Sequence, residues 1–563
     1  MQGLNLKYVN EKYDEKGVLA EYSLNIPEHF NFGFDIVDEM ARLEPQKTAM
    51  VWCNPQGEER FFTFADMKKY SNKTANFLAR AGIKKGDLVM LVLKRHYEFW
   101  FSMIALHKMG AIAIPATALL TAKDLEYRFN FAGIKGIICT ADGEVSDYVE
   151  EAQRNSPTLE LKIIARGEKE GWLSFDKGFE EAGEEFPRPA GKEDNLSTDP
   201  MVMFFSSGTS GMPKLACHDH TYALAHLLTA KHWHNVDPDG LHLTVAETGW
   251  GKALWGKLYG QWIMEGAIFV YDFDKFEPGD LLSRMEKYQV TTFCAPPTIY
   301  RFFIREDLGA YDLSSLKYAT TAGEALNAAV FTKFYEATGL KIMECYGQTE
   351  TTVTLVNLIG TEPKPGSMGR PSPQYEMGLL KEDGTPAQLG EVGEIVVKTE
   401  GKKQPGLFKG YYRDPERTAA VWHDGYYHTG DTAWKDEDGY YWYVGRTDDV
   451  IKSSGYRIGP FEVESALMEH PAVLECAVTG VPDAIRGQIV KATIVLTKNY
   501  QPSEDLAKEL QDFVKHQTAP YKYPRKVEFA TELPKTISGK IRRVEIRERD
   551  EKQVVGSHEK AED

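Results

Sequence analysis

The segment from residue 87 to residue 115 alternates two apolar runs with one helical pattern. It reads Asp-Leu-Val-Met-Leu-Val-Leu at 87–93, a mixed apolar and aromatic stretch from Tyr97 to Met109, and Gly-Ala-Ile-Ala-Ile-Pro at 110–115. Short apolar runs of this kind are typical of buried strands, and the intervening stretch is typical of a helix. Strand, helix and strand in succession predict a unit of a parallel α/β sheet.

The same alternation continues outward along the chain. Further apolar runs lie at 136–139, 268–271 and 291–296, with a helical pattern at 278–288 before the last of them. Between about residues 366 and 443 the pattern changes to short β runs separated by Asp-Gly turns, which predicts an antiparallel or β-barrel-like subdomain. A helix at 460–469, strands at 473–478 and 489–496, and a helix at 503–517 then predict a small α+β domain. The expected fold class is therefore α/β, with a large N-terminal body.

Composition excludes several classes of function. The 563 residues include 66 Lys and Arg against 83 Asp and Glu, a formal net charge of −17, and 42% of them are hydrophobic. Such a chain is globular and is a poor candidate for nucleic-acid binding, which needs clustered cations. Six cysteines without a C-x-x-C pair argue against a compact zinc site and a disulfide framework. The start lacks a signal-peptide pattern, and no apolar run is long enough to span a membrane, so a soluble, cytoplasmic protein is expected.

The segment Ser206-Ser-Gly-Thr-Ser-Gly-Met-Pro-Lys214 follows a predicted strand at 201–205. Glycines and hydroxyls on a loop that leaves a strand can surround an anion with backbone and side-chain donors, and Lys214 adds a mobile positive charge. The segment is not a Walker A loop, because Met-Pro separates Gly211 from Lys214. It predicts a phosphate-binding loop made by Ser206, Ser207, Gly208, Thr209, Ser210, Gly211 and Lys214.

Five further segments follow in order. They are Thr320-Thr-Ala-Gly-Glu-Ala325, Glu344-Cys-Tyr-Gly-Gln-Thr-Glu350, Tyr427-His-Thr-Gly-Asp431, Gly445-Arg-Thr-Asp-Asp-Val-Ile-Lys-Ser-Ser-Gly-Tyr-Arg457 and Pro534-Lys-Thr-Ile-Ser-Gly-Lys540. Together with the loop at 206–214, they resemble the signature segments of the AMP-forming acyl-CoA synthetases, a superfamily that also holds luciferases and peptide adenylation domains. The chain looks most like the medium-chain acyl-CoA synthetases. The resemblance implies a body at 1–447, a mobile C-terminal lid at 448–549 and a charged tail at 550–563.

The resemblance also implies an ATP site. Asp431 is suited to accept both ribose hydroxyls, Tyr346 offers a ring for adenine to stack on, and Glu350 with Thr209 would hold Mg²⁺. The remaining nucleotide-binding residues implied by the match are the 206–214 loop together with Gly323, Glu324, Ala325, Glu344, Cys345, Gly347, Gln348, Thr349, Arg446, Arg457 and Lys540.

Three residues are implied to be catalytic, namely Lys540, Glu350 and Thr209. Lys540 lies on a polar loop of the lid, where its charge could stabilise the anionic acid and the α-phosphate as they react. The match places the hinge at Asp448. It places coenzyme A (CoA) against Ser454, Gly455, Tyr456, Arg486, Lys515 and Tyr523.

The acyl pocket implied by the match consists of Trp250, Lys252, Trp255, Cys294 and Gly347. Acetate-specific relatives carry a tryptophan at the position of Gly347, so the glycine would open the pocket. Large rings would partly refill it, and Lys252 argues against a long apolar tunnel. A short or medium, possibly branched, fatty acid is the expected substrate.

The expected activity is an acid–thiol ligase that uses ATP, Mg²⁺ and CoA and proceeds through acyl-AMP. Three alternatives stay open: adenylation with transfer to a carrier protein, a catalytically silent nucleotide sensor, and hydride transfer. No carrier module follows residue 549, Lys540 and Glu350 are both present, and no G-x-G-x-x-G follows a strand. All three observations favour the ligase. The sequence leaves open whether the chain forms a homo-oligomer.

Overall fold

A computed structural model describes residues 3–206, 212–400, 404–454, 456–483, 485–536 and 540–550. Two large sheets form the body. Within these ranges the first has eight strands, in the spatial order Gly410–Tyr411, Lys214–Asp219, Pro200–Ser206, Ile112–Pro115, Leu88–Val92, Gly136–Thr140, Leu161–Ala165 and Leu173–Ser174. The strands from Pro200–Ser206 onward pair in parallel, as the 87–115 pattern predicts.

The second large sheet has nine strands within the described ranges. Their order is Arg370–Pro371, Val353–Val356, Ile342–Gly347, Tyr318–Thr321, Thr292–Ala295, Leu241–Thr244, Ala267–Tyr271, Thr48–Cys53 and Glu59–Thr63. The six strands from Ile342–Gly347 to Thr48–Cys53 run parallel, and antiparallel strands close both edges. The predicted α/β fold class is confirmed.

Helices cover both faces of the two sheets. In the body they are Glu39–Leu43, Phe64–Arg80, Glu98–Met109, Ala122–Ala132, Val145–Gln153, Phe175–Glu180, Thr221–Ala225, Gly251–Lys257, Tyr259–Ile263, Pro278–Lys287, Pro297–Phe303, Ala328–Thr338 and Pro415–Val421. Alternate residues of a strand point to opposite faces, so Val89 and Leu91 join the core between the sheets while Met90 joins an outer core. Every residue of Glu98–Met109 is buried, as expected for a helix enclosed between two sheets.

Antiparallel strands make two smaller sheets next to these. A hairpin of Val9–Tyr13 and Leu19–Leu24 lies near the N-terminus. The predicted barrel-like subdomain is an antiparallel sheet of Met377–Leu380, Gly393–Lys398, Tyr426–Lys435, Trp422–His423 and Tyr441–Arg446. The strand Tyr426–Lys435 pairs with Tyr441–Arg446 so that Asp431 faces Arg446 in register.

The C-terminal strands share one sheet, and the C-terminal elements form two hydrophobic clusters, the smaller of which includes Ile546 of the last helix. The strands are Tyr456–Ile458, Ile451–Ser453, Gly487–Leu496, Val473–Asp483 and Lys526–Phe529, and the helices are Pro460–Met468 and Glu504–Gln517, followed by a helix at 543–550. The predicted charged tail began at Asp550. That residue instead belongs to the helix at 543–550 and is buried, and its carboxylate accepts a hydrogen bond of 2.5 Å from Lys491.

Two further sequence expectations concern cysteines and membranes. All six cysteines are buried and free, so none of them forms a disulfide. Within the described ranges no helix combines the length and the apolar character that crossing a bilayer requires.

Candidate active site

Asp431 lies at the centre of a ring of hydrogen-bond donors. Its Oδ2 accepts hydrogen bonds of 2.6 Å from the Tyr346 hydroxyl and 2.6 Å from Gln348 Nε2. Its Oδ1 accepts one of 3.2 Å from the Tyr443 hydroxyl and lies 3.4 Å from a guanidinium nitrogen of Arg446. The carboxylate is buried, and each of these donors fixes its orientation. The sequence predicted Tyr346, Gln348, Asp431 and Arg446 as neighbours only through the family resemblance. In the structure the other three side chains all contact Asp431.

Glu350 is held by a lysine and a tyrosine. Its Oε1 lies 2.8 Å from Lys214 Nζ and accepts a hydrogen bond of 2.7 Å from the Tyr411 hydroxyl, which itself accepts a hydrogen bond of 2.5 Å from Lys214. Burial favours the neutral acid, but the Lys214 charge and the two hydrogen-bond donors outweigh it, so the pKa of Glu350 lies below its ordinary value. A buried carboxylate kept ionised is the type of oxygen ligand that Mg²⁺ requires.

Glu344 behaves differently from Glu350, although the same motif contains both. Its Oε1 accepts a hydrogen bond of 3.2 Å from the backbone N–H of Leu326, and burial raises the pKa of Glu344 well above its ordinary range. This side chain therefore braces the loop that follows Gly323, Glu324 and Ala325. Gly323 itself has φ +107°, a conformation that favours glycine.

The loop predicted to bind phosphate joins two antiparallel strands. Ser206 ends one strand and pairs in register with Lys214, which begins the next. The predicted residues Ser207, Gly208, Thr209, Ser210 and Gly211 lie outside the described residues. The Ser206 hydroxyl oxygen is buried and has no hydrogen-bond partner among the residues that the structure describes.

The predicted acyl pocket is lined by a lysine and an aromatic ring. Lys252 Nζ donates a hydrogen bond of 3.0 Å to the carbonyl of Ala322 and lies 5.7 Å from the centre of the Trp255 ring. Trp255 is half-buried and stacks on His234 with 5.8 Å between ring centres. Burial lowers the pKa of Lys252, while the nearby Cys294 and Cys345 oppose that shift.

Gly347 has a structural constraint that the sequence did not reveal. A Cβ atom at this position would lie 2.4 Å from the carbonyl oxygen of Thr352, because the strand kinks there against its neighbour. The sequence interpretation, in which Gly347 only opens the acyl pocket, is therefore incomplete. The glycine is also needed for the close approach of two backbones.

Lys540 lies at the base of a tight loop of the C-terminal domain. Its backbone N–H donates a hydrogen bond of 3.1 Å to the Thr536 hydroxyl, and its carbonyl accepts one of 2.7 Å from the Thr536 N–H. Burial lowers the pKa of Lys252, and the charge of Lys540 lowers it further.

The residues predicted to bind CoA form separate groups. Ser454 donates its backbone N–H to the carbonyl of Arg486 at 2.9 Å. Lys515 Nζ lies 4.3 Å from the centre of the Tyr523 ring. Tyr456 stacks on Tyr521 at 4.1 Å and is half exposed. Gly455 lies outside the described residues.

Two predicted residues lie at the junction of body and C-terminal domain. The carboxylate of Asp448, the predicted hinge, is 3.8 Å from Arg446 Nε. Arg457, which the resemblance assigned to ATP, pairs with Glu382 of the barrel-like subdomain at 2.7 Å.

Two family models match the chain. The model described as AMP-binding enzyme covers residues 37–412, and the model described as AMP-binding enzyme C-terminal domain covers residues 462–540. The chain belongs to the AMP-binding enzyme family. The first match includes the phosphate-binding loop and Glu350, and the second ends at Lys540.

Similar proteins cover nearly the whole chain. It is 39% identical over 544 residues to acyl-coenzyme A synthetase ACSM3, mitochondrial, of Homo sapiens. This match covers 95% of this chain and 92% of that protein. It is 41% identical over 535 residues to ACSM5, mitochondrial, of Homo sapiens, at 93% and 91% coverage.

Solved structures also match this chain over most of its length. The anthranilate CoA ligase AuaEII in complex with anthranoyl-AMP has a TM-score of 0.85 at 30% identity and covers 94% of this chain and 99% of that one. An acyl-CoA synthetase of Brucella canis has a TM-score of 0.69 at 30% identity, with 93% and 95% coverage.

The sequence missed several residues that this AMP-binding enzyme places at its site. Tyr411 contacts Glu350 and Lys214, Tyr443 contacts Asp431, and Tyr427 donates a hydrogen bond of 2.7 Å to Gln348 Oε1. Tyr411 and Tyr443 lie in none of the quoted segments. The available signal was the concentration of tyrosines in the short β runs, which is equally typical of core packing.

Proposed function

We propose that the protein is an ATP-dependent ligase that converts a short- to medium-chain fatty acid, through acyl-AMP, to acyl-CoA with release of AMP and pyrophosphate. One observation carries the proposal. Gln348 donates a hydrogen bond to the buried carboxylate of Asp431 and lies two residues before Glu350, which pairs with Lys214, so the candidate ribose-, metal- and phosphate-binding residues are neighbours. The human relatives named acyl-coenzyme A synthetase support the same activity.

In the first step, the residues of the body bind and orient ATP. Asp431 accepts hydrogen bonds from the ribose hydroxyls in place of part of its present donor ring, and the Tyr346 ring lies against adenine. Lys214 exchanges its contact with Glu350 for the phosphates, which frees a carboxylate oxygen. Glu350 and Thr209 would hold Mg²⁺, which when bound neutralises phosphate charge.

Lys540 aligns the two reacting groups. The acid's carboxylate attacks the α-phosphate, its oxygen forms the new bond to phosphorus, and pyrophosphate leaves. Negative charge gathers on both partners as they approach, and the Lys540 ammonium stabilises it. Proximity of two anions is otherwise unfavourable, so the lysine also lowers the cost of alignment.

In the second step the lid changes orientation. We propose that the body ends at residue 447 and that the lid rotates at Asp448. This rotation moves Lys540 away from the acyl-AMP and brings the residues predicted to bind CoA, including Ser454, Tyr456 and Arg486, towards it. The CoA thiolate sulfur then forms a bond to the acyl carbon, and AMP leaves. A hinge needs a few residues that absorb a large backbone change, and a polar residue between two domains meets that need.

The expected acid is short or medium in length, possibly branched. The Trp255 ring and Lys252 lie next to each other, which supports a pocket that is limited in length and has a polar group in its wall. Location in the cytoplasm is likewise a proposal from the sequence; the human relatives carry the word mitochondrial in their names.

A release assay tests the proposal. Pyrophosphate is measured with ATP, Mg²⁺ and a series of acids from acetate to decanoate, each with and without CoA. We expect acid-dependent pyrophosphate with one or a few neighbouring chain lengths and sustained turnover only with CoA. Release of ADP and phosphate, or turnover that is independent of the acid, would contradict the proposal.

A further inference from the structure

The loop that carries Lys540 is closed at its base. The backbone N–H of Arg542 donates a hydrogen bond of 2.9 Å to the carbonyl of Pro534, and Thr536 makes two hydrogen bonds with the Lys540 backbone. Arg543 follows at once and begins the helix at 543–550. Lys540 therefore lies three residues before Arg543, in a loop whose base is closed by hydrogen bonds.

Arg543 is fixed by a buried carboxylate. Its guanidinium donates three hydrogen bonds to Glu464, of 3.1 and 2.8 Å to Oε1 and 2.7 Å to Oε2. It also lies 3.9 Å from Asp449, which pairs with Arg547 as well. The side chains of Glu464 and Asp449 are only 10% and 9% exposed, so water competes little for these contacts.

Glu464 lies on the helix Pro460–Met468, which contacts residues of the body near the predicted ATP site. On this helix, the carbonyl of Ser465 accepts a hydrogen bond of 3.1 Å from Asn327 Nδ2. The ring of Phe461 lies edge-on to Tyr443 at 6.0 Å, and Tyr443 contacts Asp431. A continuous path of contacts thus connects the ribose-binding candidate with the base of the lysine loop.

We infer that Arg543 is a positioning residue for Lys540. Its planar fork locks the base of the lysine loop to the helix that rests on the nucleotide site, so Lys540 enters that site in one defined geometry. Asp449, the residue after the predicted hinge, completes the clamp on the other side of the guanidinium. Arg543 touches neither substrate nor nucleotide, and the inference rests on the proposed role of Lys540.

The test separates the two half-reactions. Acyl-AMP formation is followed by acid-dependent exchange of pyrophosphate into ATP, and thioester formation is followed from supplied acyl-AMP and CoA. Arg543→Met should lower acyl-AMP formation about tenfold to a hundredfold, because a displacement of about 1 Å at a reacting group has that effect. Thioester formation should change less than about twofold, because Lys540 has left the site by then.

The chain supplies a matched control. Arg542 is adjacent and carries the same charge, but its side chain is 57% exposed and pairs with the exposed Glu545. Arg542→Met should therefore leave both half-reactions within about twofold of the parent, as expected for an exposed ion pair. Arg543→Lys keeps the charge but loses the fork, so it should retain most of the defect in the first step.

A second arm uses Lys540 itself. If Arg543 acts through Lys540, then Arg543→Met should cause no further loss in a Lys540→Ala background. Equal loss of both half-reactions in Arg543→Met, an unchanged first step, or a further loss in the double variant would each overturn the inference. Full acyl-AMP formation by Lys540→Ala alone would instead overturn the proposed role of Lys540.

Discussion

Replacing Trp255 with alanine should shift the preference of the enzyme towards longer acids. The indole is half-buried, lies 5.7 Å from Lys252 Nζ, and stacks on His234. Its neighbour Trp233 is fully buried, with 6.0 Å between the two ring centres. Of these two rings, Trp255 is the one that keeps part of its surface exposed, and we expect its removal to open space beside Lys252.

The expected magnitude follows from the area that the acid can bury. Each additional methylene buried is worth about 0.8 kcal/mol, so two methylenes are worth about 1.6 kcal/mol. At about 1.4 kcal/mol per factor of ten, the ratio of kcat/KM for octanoate over hexanoate should rise by up to about fifteenfold. The ratio is measured in the parent and in Trp255→Ala, with thermal unfolding and ATP binding as checks on the fold.

Trp434→Ala is the matched control. Trp434 is also half-buried, but it stacks on Trp442 in the barrel-like subdomain at 5.4 Å between ring centres. It should leave the chain-length ratio within about twofold. If Trp255→Ala folds, binds ATP and leaves the ratio unchanged, the acyl chain does not reach residue 255 and the pocket assignment is wrong.

Three further predictions concern separate parts of the site. Lys540→Ala should lower the rate of acyl-AMP formation by a factor of about 10²–10³, because losing one charge-stabilising contact has about that effect on rate. Supplied acyl-AMP should still be converted to acyl-CoA. Equal loss of both steps would show a structural role. Asp448→Pro, which fixes φ near −65°, should retain acyl-AMP formation and lose thioester formation, and full overall turnover would refute rotation at this residue. Tyr411→Phe should weaken binding of a non-reactive Mg²⁺–ATP analogue by about fivefold to twentyfold in calorimetry, because Glu350 loses a hydrogen bond to a charged group. The adjacent Tyr412→Phe is its control, and equal affinities of the two variants would contradict the role of Tyr411.

The sequence predicted the sheets well because their periodicity is local. The apolar run at 268–271 lies in the strand Ala267–Tyr271, and the helix predicted from Tyr97 begins one residue later, at Glu98. The strand predicted at 473–478 extends to Asp483. Pairing with the strand Gly487–Leu496 sustains it, and this partner cannot be read from the strand itself.

The resemblance supplied the site residues, but their contacts required the fold. Nothing local shows that Glu350 is held by Tyr411, which lies 61 residues away along the chain. The constraint on Gly347 comes from the backbone of Thr352, on the far side of a turn. The sequence predicted that Asp550 begins a charged tail, but its carboxylate contacts the buried Lys491. In each case the missing information is a contact between distant residues.

The most direct test of the central claim is to follow one acid through both steps. The protein is mixed in near-stoichiometric amount with ATP, Mg²⁺ and hexanoate, and the products are identified by mass spectrometry before and after CoA is added. We predict acyl-AMP and pyrophosphate in equal amounts before CoA, and conversion of that acyl-AMP to hexanoyl-CoA and AMP afterwards. Formation of ADP and acyl phosphate, or of acyl-CoA without prior acyl-AMP, would contradict the account.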